Sequence, residues 1–246
     1  MLRIAFVTLF PDMIRAAMGD SIINRAAEAG LVAFAYANPR DFTADRHRTV
    51  DDSPFGGEPG MLMKAEPVAL AIESLQLGPG AIVILPEPAA PRFGQSDANA
   101  MSAATDIVFV CGHYEGIDDR VAGYFNALKY SVGDFVVTGG ELPAALMADA
   151  VVRQLPGVLG NESSLSADCF SAGLLSAPNY TRPEVWRDIR VPEVLVSGHH
   201  AEIAKWRHRE ALRLTQRHRP ELLDSLELTK QDRAFLTAET ISELDA

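Results

Sequence analysis

"SVGDFVVTGGELPA", residues 131–144, decides how this chain is read. It begins polar and passes through Phe135-Val136-Val137 in the manner of a strand. It breaks at Gly139-Gly140 and restarts at Glu141-Leu142-Pro143 as a helix does. Paired glycines between a strand and a helix let the backbone come close to something. Outward from this stretch the same alternation repeats. "RIAFVTLF" (3–10), "LVAFAYA" (31–37), "AIVILP" (81–86), "DIVFVCG" (106–112) and "FVVTG" (135–139) read as buried strands. "SIINRAAEAG" (21–30), with a Ser cap and a Gly stop, reads as a helix. So do "EPVALAIESLQLG" (66–78), "SDANAMSAA" (96–104), "GIDDRVAGYF" (116–125) and "LPAALMADAVVRQLPG" (142–157). Short apolar strands alternating with helices predict βαβ units on a mostly parallel sheet, an α/β fold.

The chain has 246 residues, 48% hydrophobic and 22% charged, which is the composition of an ordinary globular protein of one large or two smaller domains. Its apolar runs are strand-sized and too short to cross a bilayer, so no membrane association is expected. "MLRIAFVTLFPDM" reads as a first strand and not as a signal peptide. Two cysteines, Cys111 and Cys169, make no disulfide framework, and a reducing cytoplasm is the expected compartment.

Residues 38–64 form a long loop rich in Asp, Arg, Gly and Pro, and loops of that length inside a compact domain are functional or disordered. After Pro156-Gly157 the texture changes. "GNESSLSADCFSAG" (160–173) is small and polar, a linker by composition. From 198 onward the pattern is helical. Ile203, Trp206, Ala211 and Leu214 make an apolar stripe, and Lys205, Arg209, Arg213 and Arg217 a basic one beside it. The net charge of −11 argues at first against nucleic acid, but its distribution is uneven. Residues 1–160 hold 11 basic and 19 acidic residues, and 161–246 hold 11 and 14. Residues 199–220 alone hold six basic residues against Glu202 and Glu210. From the stripe by itself a solvated helix face is the plainer reading; a local basic surface is the alternative.

Several chemistries are absent. There is no Walker-type loop and no dinucleotide fingerprint after the first strand. "FGGEPG" (55–60) lacks a flanking strand and helix, and no nucleophile elbow appears. The six histidines and two cysteines show no metal spacing, so no metal site is assigned. Cys169 has no local histidine and reads as a small linker residue. What remains are three turns at the carboxyl ends of strands: "ILPEP" (84–88), "CGHYEG" (111–116) and "SVGDFVVTGGELP" (131–143). In open α/β sheets ligands bind outside those ends. Small and glycine residues there suit a ligand read by its edges, such as an adenine, more than a triphosphate.

The stretches "TLFPDM", "PRDFTADRHRTVDDSPFGGEPGMLM", "CGHYEGIDDRV", "SVGDFVVTGGELPA", "LPGVLGNE", "GLLSAPNYTRPEVW" and "VLVSGHHAEIAKWR" run in order over nearly the whole chain. Together they resemble the bacterial tRNA (guanine-N1)-methyltransferases, which modify the guanosine immediately 3′ of the anticodon, position 37. The resemblance implies a SPOUT-type fold: a mostly parallel sheet with a trefoil knot at its C-terminal side over 1–160. A flexible linker at 161–175 and a smaller helical tRNA-binding domain at 176–246 follow. It implies S-adenosylmethionine as methyl donor, tRNA as partner, and a homodimer with active sites at the subunit interface. A requirement for Mg2+ stays open.

By that resemblance the donor pocket comprises Leu85, Pro86, Glu87, Gly112, Tyr114, Glu115, Ser131, Val132, Gly133, Phe135, Val137, Gly139, Gly140 and Pro143. Gly139-Gly140 would let the backbone approach the adenine. The chain departs from the family pattern where "LPEPAA" replaces a Ser-Pro-x-Gly turn, with Glu87 and Ala90 at the changed positions, and where Ser176 replaces an aspartate. Guanine N1 carries a proton at neutral pH, so a base must take it as the methyl arrives. Negative charge then grows toward O6. The resemblance assigns Asp168 as base and Arg153 near O6; the basic stripe Lys205, Arg209, Arg213 and Arg217 is the candidate RNA contact on charge alone. A SPOUT-type methyltransferase acting on another RNA, and a non-catalytic RNA binder, are the competing readings.

Overall fold

The computed structural model describes residues 1–160, 168–170 and 173–244, and these fall into two compact units, Met1–Gly160 and Asn161–Ala246. In the first unit the chain runs β1 (Leu2–Val7), α1 (Pro11–Met18), α2 (Ser21–Glu28), β2 (Val32–Ala37), β3 (Asp51–Asp52) and β4 (Leu62–Met63). It continues through α3 (Ala65–Ser74), β5 (Ile82–Pro86), α4 (Gln95–Met101), β6 (Asp106–Val110), α5 (Arg120–Tyr124), β7 (Leu128–Tyr130) and α6 (Glu141–Val152). The main sheet has the order β2-β1-β6-β5-β7, with every pairing parallel.

Both faces of this sheet are covered, which is why its strands read as unbroken apolar runs. Alternate side chains point to opposite faces. Ile4, Phe6, Ile107 and Phe109 pack with Met147 and Val151 of α6 in one core cluster. Ala5, Val7, Val108 and Val110 pack with Val68 and Ile72 of α3 in the other. Register stacks the aromatics: Phe6 pairs with Tyr36 and Phe109 across neighbouring strands, ring centroids 5.9 and 5.6 Å apart. α6 is alanine-rich, and its small side chains let it lie close on the sheet.

Two expectations need correction. The "FVVTG" strand does not form. Phe135 is 57% and Val136 82% exposed, so this apolar triplet is not core. The edge strand is β7, Leu128–Tyr130, paired Ile84↔Leu128 and Pro86↔Tyr130. The chain leaves the sheet after Ser131, and Gly133 at φ 155° turns it over the strand ends. The first strand also stops at Val7 and not at Phe10. The following "PDMIRAAM" forms α1, started by Pro11 and burying Ile14 and Met18 on one side. The 38–64 loop carries β3 and β4, which pair across its base, and Met61 O accepts the Glu115 N–H at 2.9 Å.

The second unit carries a small hairpin, β8 (Val185–Trp186) with β9 (Ile189–Arg190). The helices α7 (Glu193–Val196), α8 (His200–His218) and α9 (Lys230–Leu244) follow, so it is not helical throughout. Residues 161–167 and 171–172 of the expected linker lie outside the described residues.

Candidate active site

The three strand-end turns converge. Pro86 ends β5 and Glu87 follows it, Gly112, Tyr114 and Glu115 follow β6, and Ser131, Val132, Phe135, Val137, Gly139, Gly140 and Pro143 follow β7; all line one pocket of about 220 Å³. Of the residues expected at the donor, Leu85 and Gly133 stand behind this lining. The Leu85 side chain is buried in the sheet core, and a Cβ on Gly133 would meet the Phe135 ring at 2.5 Å. The pocket also takes in Pro88, Gly116, Val136 and Thr138, which lie within the three turns read from the sequence, and Tyr130, which does not. Tyr130 was missed because its strand was.

The turns are held by main-chain bonds. Ser131 N–H donates to Pro91 O at 2.8 Å and Phe93 N–H donates to Ser131 O at 2.9 Å, extending the β5–β7 edge past Pro86. The Ser131 hydroxyl donates to Gly133 O at 2.9 Å. Arg92 pairs with the Asp134 carboxylate. Tyr114 adopts φ 59°, a left-handed conformation that turns the 111–116 segment back on itself.

Gly140 donates its N–H to Gly112 O at 2.8 Å, and a Cβ there would lie 2.8 Å from the Cys111 Cα and 2.9 Å from the Gly112 nitrogen. What comes close to Gly140 is therefore the chain's own backbone. At Gly139 a Cβ would strike the His113 ring at 2.3 Å. Burial, and then the nearby Glu141 carboxylate, push the Cys111 thiol well up, so it stays protonated and inert. Burial and then Asp97 push the Tyr130 phenol up, and its hydroxyl donates to Asp97 Oδ1 at 3.2 Å.

A wider groove of about 990 Å³ lies between Asp52–Phe55, α3 and α5. It is an open trough walled by helix side chains, with Asp52, Glu66, Glu73 and Asp118 against Lys64 and Arg120. Volume does not assign a ligand. The smaller pocket lies at the carboxyl ends of the strands, the place where open α/β sheets bind ligands.

Arg153 caps the C-terminus of α6, its N–H on Asp149 O at 3.0 Å. Asp168 belongs to the second unit, half-buried at the head of a turn. In that turn Phe170 N–H donates to Leu174 O at 2.9 Å and Leu175 N–H to Thr215 Oγ1 of α8 at 2.9 Å. On α8 the buried seam is Leu212 and Thr215, whereas Ile203, Trp206, Ala211 and Leu214 are half-buried. The basic stripe is partly engaged. Lys205 pairs with Glu202 at 2.8 Å, Arg213 pairs with Glu210 at 2.5 Å, and Arg209 lies over the Phe235 ring at 5.7 Å. Among the described residues no group of three or more His, Cys, Asp or Glu is placed to hold a metal ion. No helix among them is long and apolar enough to cross a membrane.

A parallel sheet covered by helices on both faces, with strand-end turns that converge on one pocket and no phosphate loop, defines a class of α/β proteins. Within it, the model of the family tRNA (guanine-1)-methyltransferase TrmD matches residues 2–225. The chain belongs to this family. It is 48% identical to the tRNA (guanine-N(1)-)-methyltransferase of Geobacter sulfurreducens over 96% of each chain. It is 45% identical to the enzyme of that name from Bacillus subtilis, over 96% of this chain and 98% of the other. The Desulforudis audaxviator protein of that name is 49% identical over 95% and 94%.

Proposed function

We propose that the protein transfers a methyl group from S-adenosylmethionine to N1 of the guanosine immediately 3′ of the tRNA anticodon. The observation that carries the reading is the convergence of the three turns on one pocket within a chain of this family. The residues fit the donor. Glu87 and Glu115 are among the lining residues, and acidic residues suit a ligand that carries a sulfonium and an ammonium. Pro86, Val132, Phe135, Val137 and Pro143 supply apolar surface for its adenosine. When bound, the donor supplies an electrophilic methyl.

The chain's own residues do the rest. Asp168 takes the N1 proton as the nitrogen lone pair is used, since a protonated N1 has none free. Arg153 balances the charge that grows on O6. Glycines 139 and 140 keep the two turns in register. The target base leaves its stack to reach this pocket. The crossing of residues 131–140 against Cys111-Gly112 supports a SPOUT-type trefoil knot. The division at Gly160 supports a donor-binding first domain and a tRNA-gripping second one.

The active form is a homodimer. Phe10 and Met13 beside and on α1, and Leu142 and Leu146 on α6, are exposed large apolar side chains on two packed helices. A patch of that kind calls for a partner. The compartment is the cytoplasm, where tRNA is found and where Cys111 and Cys169 remain free thiols.

The pocket is tested without RNA. Saturating S-adenosylmethionine or its demethylated product should raise the Tm of the protein, because it binds only the folded state. No shift at saturation contradicts the donor assignment.

A further inference from the structure

Three strand-end segments meet at one buried carboxylate that does not line the donor pocket. Glu141 opens α6 and is 2% exposed. Thr8, just past β1, donates from Oγ1 to Glu141 Oε1 at 2.8 Å, and the same hydroxyl accepts the Phe10 N–H at 2.9 Å. The second carboxylate oxygen, Oε2, lies 3.9 Å from His113 Nδ1. That nitrogen is buried and has no hydrogen-bond partner. The Phe10 ring covers the imidazole, centroids 4.7 Å apart. Gly139 runs between the two groups, and a Cβ there would lie 2.3 Å from Nδ1 and 2.5 Å from Oε2.

A buried polar atom without a partner is rare in a settled structure. Here the missing partner is in view, about 1 Å beyond hydrogen-bond length. His113 sits between Gly112 and Tyr114 on one wall of the pocket. Glu141 sits between Gly140 and Pro143 on the other. A small movement of the 111–116 turn toward the start of α6 would make the bond and would draw the two walls together.

We infer that His113 and Glu141 are positioning residues of the donor pocket. When the donor occupies it, His113 Nδ1–H donates to Glu141 Oε2, with Thr8 anchoring the carboxylate to the sheet. The imidazole makes this bond with a proton on Nδ1. The other titratable groups facing the pair are the protonated Cys111 thiol and the Tyr114 phenol, whose ring lies 5.9 Å from the imidazole. Neither residue touches the reacting atoms. The inference rests on the donor reading of the pocket.

Donor Kd is measured by calorimetry on the full chain, with single-turnover rates at saturating donor. H113A should weaken donor binding about tenfold, the scale of one hydrogen bond to a charged group, and leave the saturated rate unchanged. H113Q, whose amide can donate to Oε2, should recover most of that loss. E141Q should weaken binding, and the double variant should be no weaker than the worse single one. A merely structural role would instead lower Tm in H113A and H113Q alike without separating their donor affinities. The inference is overturned if H113A keeps the wild-type Kd, if the two losses multiply in the double variant, or if H113A slows the saturated rate alone. Should E141Q fail to fold, the contrast between H113A and H113Q decides. Wild-type protein that binds no donor overturns the pocket reading and this pair with it; normal binding in wild type and variants alike overturns the pair only.

Discussion

A methyl group added at position 140 would press on the Cys111 Cα and the Gly112 nitrogen, both backbone atoms that cannot swing aside. Gly140→Ala should therefore destabilise the first unit by about 1–3 kcal/mol, the scale of overpacking, and weaken donor binding with it. Gly139→Ala meets the packed His113 ring and the buried Glu141 carboxylate at 2.3 and 2.5 Å, so it should destabilise on the same scale. Thermal melts by circular dichroism compare the two, and equal stability of G140A and wild type would contradict the crossing described. Asp168→Asn keeps the size and removes the proton acceptor. Single-turnover methyl transfer should slow by about a hundredfold or more, with donor and tRNA affinities nearly unchanged. Raising the pH should help this variant more than wild type, because more N1 is then deprotonated in solution. A near-normal rate would move the base elsewhere. At this scale the glycines were legible as sites of close approach, but not what approaches them. Backbone against backbone and backbone against ligand leave the same small residue in the sequence.

The α9 helix starts with a reciprocal cap. Thr229 N–H and Oγ1 donate to Asp232 Oδ2 at 3.0 and 2.7 Å, and Asp232 N–H donates to Thr229 Oγ1 at 3.1 Å. His208 of α8 adds a contact to Asp232 Oδ1 at 2.8 Å. The Thr229 bonds and then His208 hold the Asp232 carboxyl below its usual range. A depressed folded-state pKa stabilises above the unfolded value and loses that effect as pH falls through the folded one. Asp232→Ala should cost about 1 kcal/mol at neutral pH and progressively less below about pH 4. Both tryptophans, Trp186 and Trp206, lie in the second unit, so urea unfolding followed by their fluorescence reads this unit selectively. An undiminished cost at low pH would contradict the cap. Element by element, strands buried on both faces were legible as apolar runs. Phe135-Val136-Val137 misled because an exposed apolar turn over strand ends has the composition of a strand. The true edge strand, Leu128–Tyr130, is three residues long and too short to show a period.

Across the whole molecule the −11 charge repels RNA, so any grip on tRNA depends on where the basic side chains gather. Changing Lys205, Arg209 and Arg213 to Glu should weaken tRNA binding and flatten its salt dependence while donor binding holds. Unchanged affinity and slope would leave the stripe a solvated helix face. Tryptophan fluorescence must first show the variant folded, since the changes put Glu beside Glu202 and Glu210 and remove Arg209 from the Phe235 ring. That three turns gather at the strand ends was legible from turn chemistry. Asp168 and Arg153 were not, because a carboxylate in a polar linker and an arginine at a helix end look like solvated groups until a resemblance gives them roles. The central claim is methyl transfer to one atom of one base, and nucleoside mapping tests it most directly. Unmodified tRNA with guanosine 3′ of the anticodon is incubated with the protein and labelled S-adenosylmethionine, then digested. The account predicts label in N1-methylguanosine at that position, and none when the guanosine is replaced. Label on another atom or nucleotide, or no transfer by folded protein that binds the donor, would contradict it.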